Sequence, residues 1–414
     1  MKQISRSLSV LFFITILMAS LTFAACNNNT NAGDKSPVVS DSVKKDSIAQ
    51  VKDENGTGEP YDASKYKSTY DDISKFFAGM TVDSTSEIAP LFKTNAWKSY
   101  SKGFSGRWDG LEKKRLAPIR EWAATELKDI SADCKTLFYP FGGPDFLFAN
   151  TFFPAFDNFV LIGLEPVGQL PNLNKLQPNV LNAYLNSLQT SLNTLTTGGF
   201  FKTIDMASDF QQGRVNGTVP VLLIFLAKTG NRVLDIEYIK MDKTGKLTYE
   251  KSDITESKLK TRYDGVLIKF TDKEAKTVKR LYFFSTDLSD AGFPKKADFQ
   301  QFINNMKPFA AMAKAASYLM HQGGFNGIRD FVVNNASYMV QEDSGIPLKY
   351  FDATKWERRF YGTYTAPIPM FAGRVQKDLQ AEYRKKDNVK PLPFGIGYYW
   401  EPGRSNLMFG IRKP

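Results

Sequence analysis

The stretch TLFYPFGGPDFLFANTFFPAFDNFVLIGLE, residues 136–165, decides the fold of this chain. It starts with a run of aromatic and aliphatic residues, 136–141, which predicts a strand. The Gly-Gly-Pro that follows predicts a tight loop, and Asp145 is placed to cap a short helix over 146–153. A second apolar run, 158–164, predicts a strand that is buried on both faces. Together these signals predict a strand-helix-strand unit with parallel strands.

Polar residues follow both predicted strands. Gly142, Gly143 and Asp145 come after the first strand, and Glu165 comes after the second. Because ligand crevices form at the carboxyl ends of parallel strands, these four residues are the candidate binding site. Asp145 and Glu165 are also weak candidates for general acid-base catalysis. The alternative is that Asp145 only caps its helix and that Glu165 only starts the turn at Pro166.

A second unit with the same order of signals occurs later in the chain. Residues 316–321 predict a strand, Gly323-Gly324 a loop, 326–333 a helix and 337–341 a strand that ends at Glu342-Asp343. The two units share strand, Gly-Gly, helix, strand and acidic residue in that order. This similarity suggests a weak internal duplication, in which two crevices would face each other across a cleft.

The remaining segments complete a mixed α/β fold, in which parallel strand-helix-strand units flank an antiparallel meander and a helical segment comes first. Apolar spacing predicts two helices within 88–127 and one over 178–195, and a further helix is predicted over 371–385. Residues 394–400 and 406–411 predict a hairpin. The globular region, 61–414, is divided into two possible lobes at about 61–215 and 216–414. The meander is predicted from these strands: 219–226, 232–241, 245–249, 265–270 and 277–284.

The cysteine and histidine content disfavours several kinds of chemistry. The chain has two cysteines, Cys26 and Cys134, and a single histidine, His321. A histidine-based zinc site and a Ser-His-Asp triad are therefore disfavoured, and we predict neither a metal nor a cofactor. His321 is expected to close a strand, and Cys134 to be half-buried beside a strand. A nucleophilic Cys134–His321 pair is the alternative for these two residues.

The charge of the chain favours anionic partners. The sequence contains 54 Lys and Arg and 43 Asp and Glu, a net charge of +11, which falls to +9 if Lys2 and Arg6 are removed with a signal peptide. A mild basic excess suits lipid headgroups or an anionic glycan or another envelope component. The cations are spread along the chain, so no nucleic-acid partner is predicted.

The amino terminus has the pattern of a secretory signal. Lys2 and Arg6 precede an apolar run, 8–23, and Ala24-Ala25-Cys26 supplies small residues followed by a cysteine. The segment resembles the signal peptide of a bacterial, Bacteroidota-like lipoprotein. That resemblance implies cleavage of residues 1–25 and lipid on Cys26, which would hold the protein to a membrane. An uncleaved transmembrane anchor is the alternative.

Residues 26–60 predict a lipidated, disordered tether because they contain almost no large apolar side chain. Asn27 stands where an aspartate would indicate retention at the inner membrane in the lipoprotein pattern, so the resemblance implies the outer membrane. The residues after it lack an acidic export-type cluster, which favours a domain facing the periplasm.

Two functions from different classes fit these observations. The preferred one is a non-enzymatic lipoprotein of the cell envelope that binds a ligand or an envelope component. The alternative is a carboxylate-dependent hydrolase that uses Asp145 and Glu165 on a glycan or peptidoglycan-like substrate. Carboxyl groups about 5–10 Å apart across an open groove would favour the hydrolase, whereas buried ones would favour binding.

Overall fold

The computed structural model describes residues 59–198, 217–252 and 262–414. The predicted signal peptide, the lipid site at Cys26 and nearly all of the predicted tether lie outside these residues. The last two tether residues are described and pair with the domain. Pro60 forms a bridge with Thr277, and the backbone N–H of Val278 donates to the carbonyl of Glu59 at 2.7 Å.

One mixed sheet of eleven strands runs through the described residues in the order β10-β9-β11-β8-β7-β1-β2-β6-β5-β3-β4. It combines strands from both sides of residue 215, so both predicted lobes contribute to it. The strands are β1 Thr136–Tyr139, β2 Asn158–Gly163, β3 Arg232–Met241, β4 Leu247–Lys251, β5 Gly265–Thr271, β6 Lys279–Ser285, β7 Phe309–Ala313, β8 Tyr338–Gln341, β9 Trp356–Gly362, β10 Val389–Lys390 and β11 Asn406–Arg412.

The centre of the sheet is parallel and its flanks are mostly antiparallel. Strands β8, β7, β1, β2 and β6 are parallel neighbours, with Phe138 opposite both Val160 and Ala311. Strands β5, β3 and β4 continue one flank as an antiparallel meander. On the other flank β11 lies antiparallel between β8 and β9. The predicted mixed α/β class with parallel units beside a meander is therefore confirmed.

Nine α-helices cover the two faces of the sheet in the part of the chain that the structure describes. Helices α1 to α6 supply the core on one face, and α7 to α9 supply the core on the other. Alternate residues of each parallel strand enter opposite cores, as in β1, where Leu137 and Tyr139 face one side and Phe138 the other. The helices are α1 Thr69–Phe77, α2 Asn95–Leu111, α3 Ala117–Glu126, α4 Phe146–Phe152, α5 Pro178–Gly198, α6 Val219–Lys228, α7 Ala297–Asn304, α8 Asn326–Asn335 and α9 Lys377–Arg384.

The amino-terminal helices are fixed to the domain by polar contacts as well as by apolar packing. The indole N–H of Trp97 donates to the carbonyl of Phe76 at 3.0 Å, and the hydroxyl of Ser101 donates to the carbonyl of Gly79 at 2.6 Å. Both contacts join α2 to the end of α1. Gly103 lies where an added Cβ would be only 2.9 Å from the amide nitrogen of Gln189, so its small size permits close packing of α2 on α5.

Three predicted strands are wrong. Residues 219–226 belong to helix α6, in which the nine residues from Val219 to Ala227 are all buried. Such a run has no polar face to reveal its period, so its pattern does not distinguish a buried strand from a buried helix. The strand placed at 316–321 is instead β7, Phe309–Ala313, and His321 ends a 3₁₀ turn, Leu319–His321. Residues 394–400 form only an isolated bridge between Ile396 and Tyr399.

The proposed duplication shares topology but not spacing. Both β1-α4-β2 and β7-α8-β8 are parallel strand-helix-strand units. However, Gly142 is the third residue after the end of β1, whereas Gly323 is the tenth residue after the end of β7. The order of elements that suggested the duplication is present, but the first strand of the second unit lies at 309–313 and not at 316–321.

None of the helices described has the length and apolar character required to span a bilayer.

Candidate functional site

The two strand-helix-strand units meet at the centre of the sheet, where β1 and β7 are neighbours. From β1 the chain passes through α4 to β2 on one side, and from β7 it passes through α8 to β8 on the other side. Helices α4 and α8 pack on opposite faces of the sheet. This reversal of direction is a topological switch point, and loops at the carboxyl ends of strands form ligand crevices at such points.

Asp145 lies at this switch point in a buried ion pair. Its Oδ2 is 2.9 Å from Nζ of Lys314, the first residue after β7, and both side chains are almost fully buried. The hydroxyl of Tyr139 donates to the same oxygen at 3.1 Å, and the N–H of Phe148 donates to Oδ1 at 3.2 Å. The predicted helix cap is confirmed by this last bond. Burial raises the pKa of Asp145, although the ammonium of Lys314 opposes that effect.

Glu165 packs against the glycine loop that follows β1. Its side chain is only 1% exposed, and a Cβ added to Gly143 would lie 3.2 Å from its Oε1. Gly143 has a φ of +56°, which also favours glycine there. A Cβ on Gly163 would fall 2.1 Å from Oε2 of the same carboxylate. The structure thus brings Glu165 and Gly143 together, in a packed interior rather than in a groove.

The second acidic pair, Glu342 and Asp343, lies directly after β8 and is buried as well. Oε1 of Glu342 accepts the N–H of Ala315 at 2.8 Å and the hydroxyl of Ser344. Asp343 accepts the hydroxyl of Tyr318 at 2.5 Å and the amide of Asn406 at 2.7 Å. Burial, followed by the nearby charge of Asp343, raises the pKa of Glu342 to about 8. Burial also raises the pKa of Asp343.

The loops that follow β1 and β7 have an unusual backbone. Five non-glycine residues in the described part of the chain have a left-handed φ, and four of them, Phe141, Ala315, Ser317 and Tyr318, follow β1 or β7. A left-handed φ raises the free energy of the folded state at a non-glycine residue, so such residues occur where surrounding contacts hold them. The left-handed loop after β7 could not be predicted from the sequence, because alanine, serine and tyrosine carry no local signal for that conformation.

Side chains from three other segments hold the loop after β7. The N–H of Ala316 donates to the hydroxyl oxygen of Ser344 at 2.8 Å, and the N–H of Ser317 donates to the phenol oxygen of Tyr398 at 3.1 Å. Together with the bonds of Lys314, Ala315 and Tyr318, each residue from 314 to 318 has a contact from another segment. The network therefore fixes the shape of the carboxyl edge.

The cavity inside this network is too small for an organic ligand. It has a volume of about 10 Å³ and lies among residues that include Gln341, Glu342 and Asp343. That is about the space of one water molecule. Among the residues that the structure describes, no group of three or more His, Cys, Asp and Glu side chains is arranged to hold a metal ion.

A larger pocket opens beside the network, at the carboxyl end of β9. Its volume is about 470 Å³, within the usual range for small-molecule sites. Strand β9 is parallel to β8, because both are antiparallel to β11, so this pocket lies at the same edge of the sheet as the acidic residues. It is lined by Gly362, Thr363, Tyr364, Thr365, Gln380, Tyr383, Arg384 and Val389.

Hydrogen bonds connect this pocket to the acidic pair. The side-chain amide of Gln376 donates to the carbonyl of Asp343 at 2.9 Å, and its backbone N–H donates to the hydroxyl oxygen of Tyr364 at 3.1 Å. Tyr383 lines both the pocket and the small cavity, and its hydroxyl donates to the carbonyls of Tyr361 and Leu407 at 3.0 and 3.1 Å. The network thus supports one wall of the pocket.

The alternative nucleophilic pair, Cys134 and His321, is not assembled. Cys134 precedes β1 and His321 follows β7, so they lie at opposite ends of parallel, neighbouring strands. Four residues of β1 alone separate these ends by roughly 13 Å. Cys134 is buried, rather than half-buried as predicted, and burial raises the pKa of its thiol to about 12. His321 is partly buried, and burial lowers its pKa to about 4.

No protein-family model matches this chain, and no curated protein sequence matches it either.

Proposed function

We propose that this protein is a lipid-anchored lipoprotein of the outer membrane, facing the periplasm, whose domain binds a ligand in the pocket at the end of β9. The pocket is the observation that supports binding most strongly. Its volume suits a ligand of one or two sugar rings, and the neighbouring hydrogen-bond network holds its wall in place.

The burial of the acidic residues favours binding over hydrolysis. Asp145 and Glu165 each expose 1% of their surface, and Glu342 and Asp343 are also buried. A general acid must lie within hydrogen-bond distance of the atom that it protonates. None of these carboxyl groups has that access, because all four are buried, and the cavity beside Glu342 and Asp343 holds only about one water molecule.

The pocket lining favours an acidic sugar. Thr363, Thr365 and Gln380 offer hydroxyl and amide groups that match sugar hydroxyls, and Tyr383 offers a partly buried aromatic ring. Arg384 is exposed and supplies a planar cation, which suits recognition of a carboxylate by paired hydrogen bonds. An anionic glycan of the cell envelope is the proposed class of ligand.

Calorimetric titration with glucuronate and with glucose tests this proposal. We expect glucuronate to bind more tightly than glucose, since only the former has a carboxylate for Arg384. Arg384→Gln should weaken glucuronate binding about tenfold or more, because a charge-assisted hydrogen bond contributes roughly 1.5–3 kcal/mol.

The matched control is Lys385→Gln, which removes the same charge from the next residue. Lys385 pairs with Glu382 at 2.9 Å and does not line the pocket. It should leave the affinity unchanged. Equal binding of both sugars, or equal losses in the two variants, would contradict the proposal.

The anchor is tested separately by Cys26→Ser. The resemblance to a lipoprotein signal implies that this variant accumulates as an unprocessed or soluble form, which fractionation and amino-terminal sequencing would detect. A normally cleaved protein that stays in the membrane fraction would reject lipidation at Cys26.

A further inference from the structure

Although the cations of the domain are spread along the chain, their excess over acidic side chains is concentrated on one pair of helices. Residues 59–414 contain ten more cationic than acidic side chains, and six of that excess lie between Lys93 and Arg120. This segment covers α2, a π-helical turn at Glu112–Leu116 and the start of α3. The exposed cations are here called the basic face: Lys93, Lys98, Lys102, Arg107, Lys113, Lys114 and Arg120.

Helical spacing separates these cations from the core. Trp97, Tyr100, Phe104, Trp108 and Leu111 recur every three or four residues and are all buried. The cations fall at other positions and are all exposed. Because the contacts of Trp97 and Ser101 fix α2 to α1, the basic face is presented by a rigid element.

Few acidic groups oppose this charge. The segment contains only Asp109 and Glu112. Glu112 forms an ion pair with Arg120, and the charge of Asp109 acts on Lys228. Lys98, Lys102, Lys113 and Lys114 form no ion pair with any residue in the described ranges 59–198, 217–252 and 262–414.

We propose that the basic face docks on the anionic headgroups of the membrane that carries the lipid anchor, and so orients the domain. This inference rests on the proposed anchor. Anionic headgroups are the proposed partner because their charge is complementary to that of the basic face. Residues 27–58 themselves contain four lysines and five acidic residues, so the segment next to Cys26 supplies no basic excess. The cations that can meet anionic headgroups are therefore on the folded domain.

The length of residues 27–58 permits this contact. If these 32 residues form the tether that the sequence predicts, their r.m.s. reach is roughly 30 Å. Tethering on that scale gives an effective concentration in the millimolar range, so a weak headgroup contact is populated once the anchor is inserted.

Vesicle sedimentation tests the proposal on the mature chain from Asn27, made without acyl groups, so that the result does not depend on lipidation. The wild type should bind vesicles that contain phosphatidylglycerol, and it should bind pure phosphatidylcholine vesicles much more weakly. Changing Lys98, Lys102, Lys113 and Lys114 together to Gln should lower the partition coefficient about tenfold or more, since each cation near an anionic surface contributes separately.

The matched control changes four exposed lysines elsewhere, Lys243, Lys246, Lys295 and Lys307, to Gln. This control has the same net charge as the basic-face variant, and it should bind vesicles like the wild type. Equal losses in both variants would show that only net charge matters and would overturn the proposal. So would equal binding to the two kinds of vesicle, or binding to soluble heparin without any preference for phosphatidylglycerol. Arg384→Gln should not change vesicle binding, which separates this inference from the ligand pocket.

Discussion

The two strand-helix-strand units place acidic residues at the same edge of the sheet but neutralise them in different ways. In the first unit, Asp145 has a buried cationic partner, Lys314, at 2.9 Å. In the second unit, Glu342 and Asp343 are adjacent, and they accept hydrogen bonds from hydroxyl, amide and backbone N–H groups. One unit therefore contains a buried ion pair, whereas in the other unit burial raises the pKa of both carboxyl groups.

The largest predicted effect comes from breaking the ion pair. Lys314→Met should lower the free energy of unfolding by about 3–5 kcal/mol, because it leaves Asp145 buried without its cation. Urea denaturation would measure this loss. Lys279→Met is a matched control, since Lys279 is equally buried but pairs with Asp272, which is about one third exposed. If Lys314→Met cost no more than Lys279→Met, the importance of the buried pair would be refuted.

In the second unit, protonation of Glu342 should make the free energy of unfolding depend on pH. The pKa of Glu342 rises from 4.5 to about 8 on folding, so the unfolded chain loses this proton at lower pH than the folded protein does. Stability from this group is complete below pH 4.5 and is lost as the pH rises to about 8. The loss should be a few kcal/mol, at about 1.4 kcal/mol per pKa unit.

Glu342→Gln isolates this contribution because glutamine does not titrate. Its stability should decline less than that of the wild type between pH 4.5 and pH 8, when both are followed by urea denaturation. Parallel pH profiles for the two proteins would show that folding does not raise the pKa of Glu342.

The smallest predicted effect concerns the backbone that joins the two units. Ala315→Gly should raise the free energy of unfolding by up to about 1 kcal/mol, because glycine adopts a left-handed φ without steric cost. Ala313→Gly, two residues earlier in β7, should lower it by about 0.5–1 kcal/mol, since glycine weakens a strand. Thermal melting compares the two variants, and losses in both would argue against strain at Ala315.

The first unit could be predicted almost residue by residue because its signals are local. The strand, the Gly-Gly-Pro loop, the Asp145 cap and the second strand each depend on neighbours in the sequence. The first strand of the second unit was misplaced because β7, with the sequence FAAMA, has small side chains and little strand propensity. Helix α6 was misread because it is apolar on every side.

The candidate site was predicted only in part. The sequence pointed to Gly142, Gly143, Asp145 and Glu165, which follow β1 and β2 at one edge of the sheet. Lys314 was missed, although a lysine directly after a short apolar run is a signal for a strand end at a polar site. The pocket residues were missed because Thr363, Gln380 and Arg384 are brought together by tertiary packing and form no sequence motif.

Native mass spectrometry of the protein purified from its own membrane tests the binding function most directly. The wild type and Lys385→Gln should each carry a bound molecule that contains an acidic sugar, and Arg384→Gln should have lost it. A wild-type protein without any bound molecule, or a molecule retained equally by Arg384→Gln, would contradict the assignment of the pocket as an anionic-glycan site.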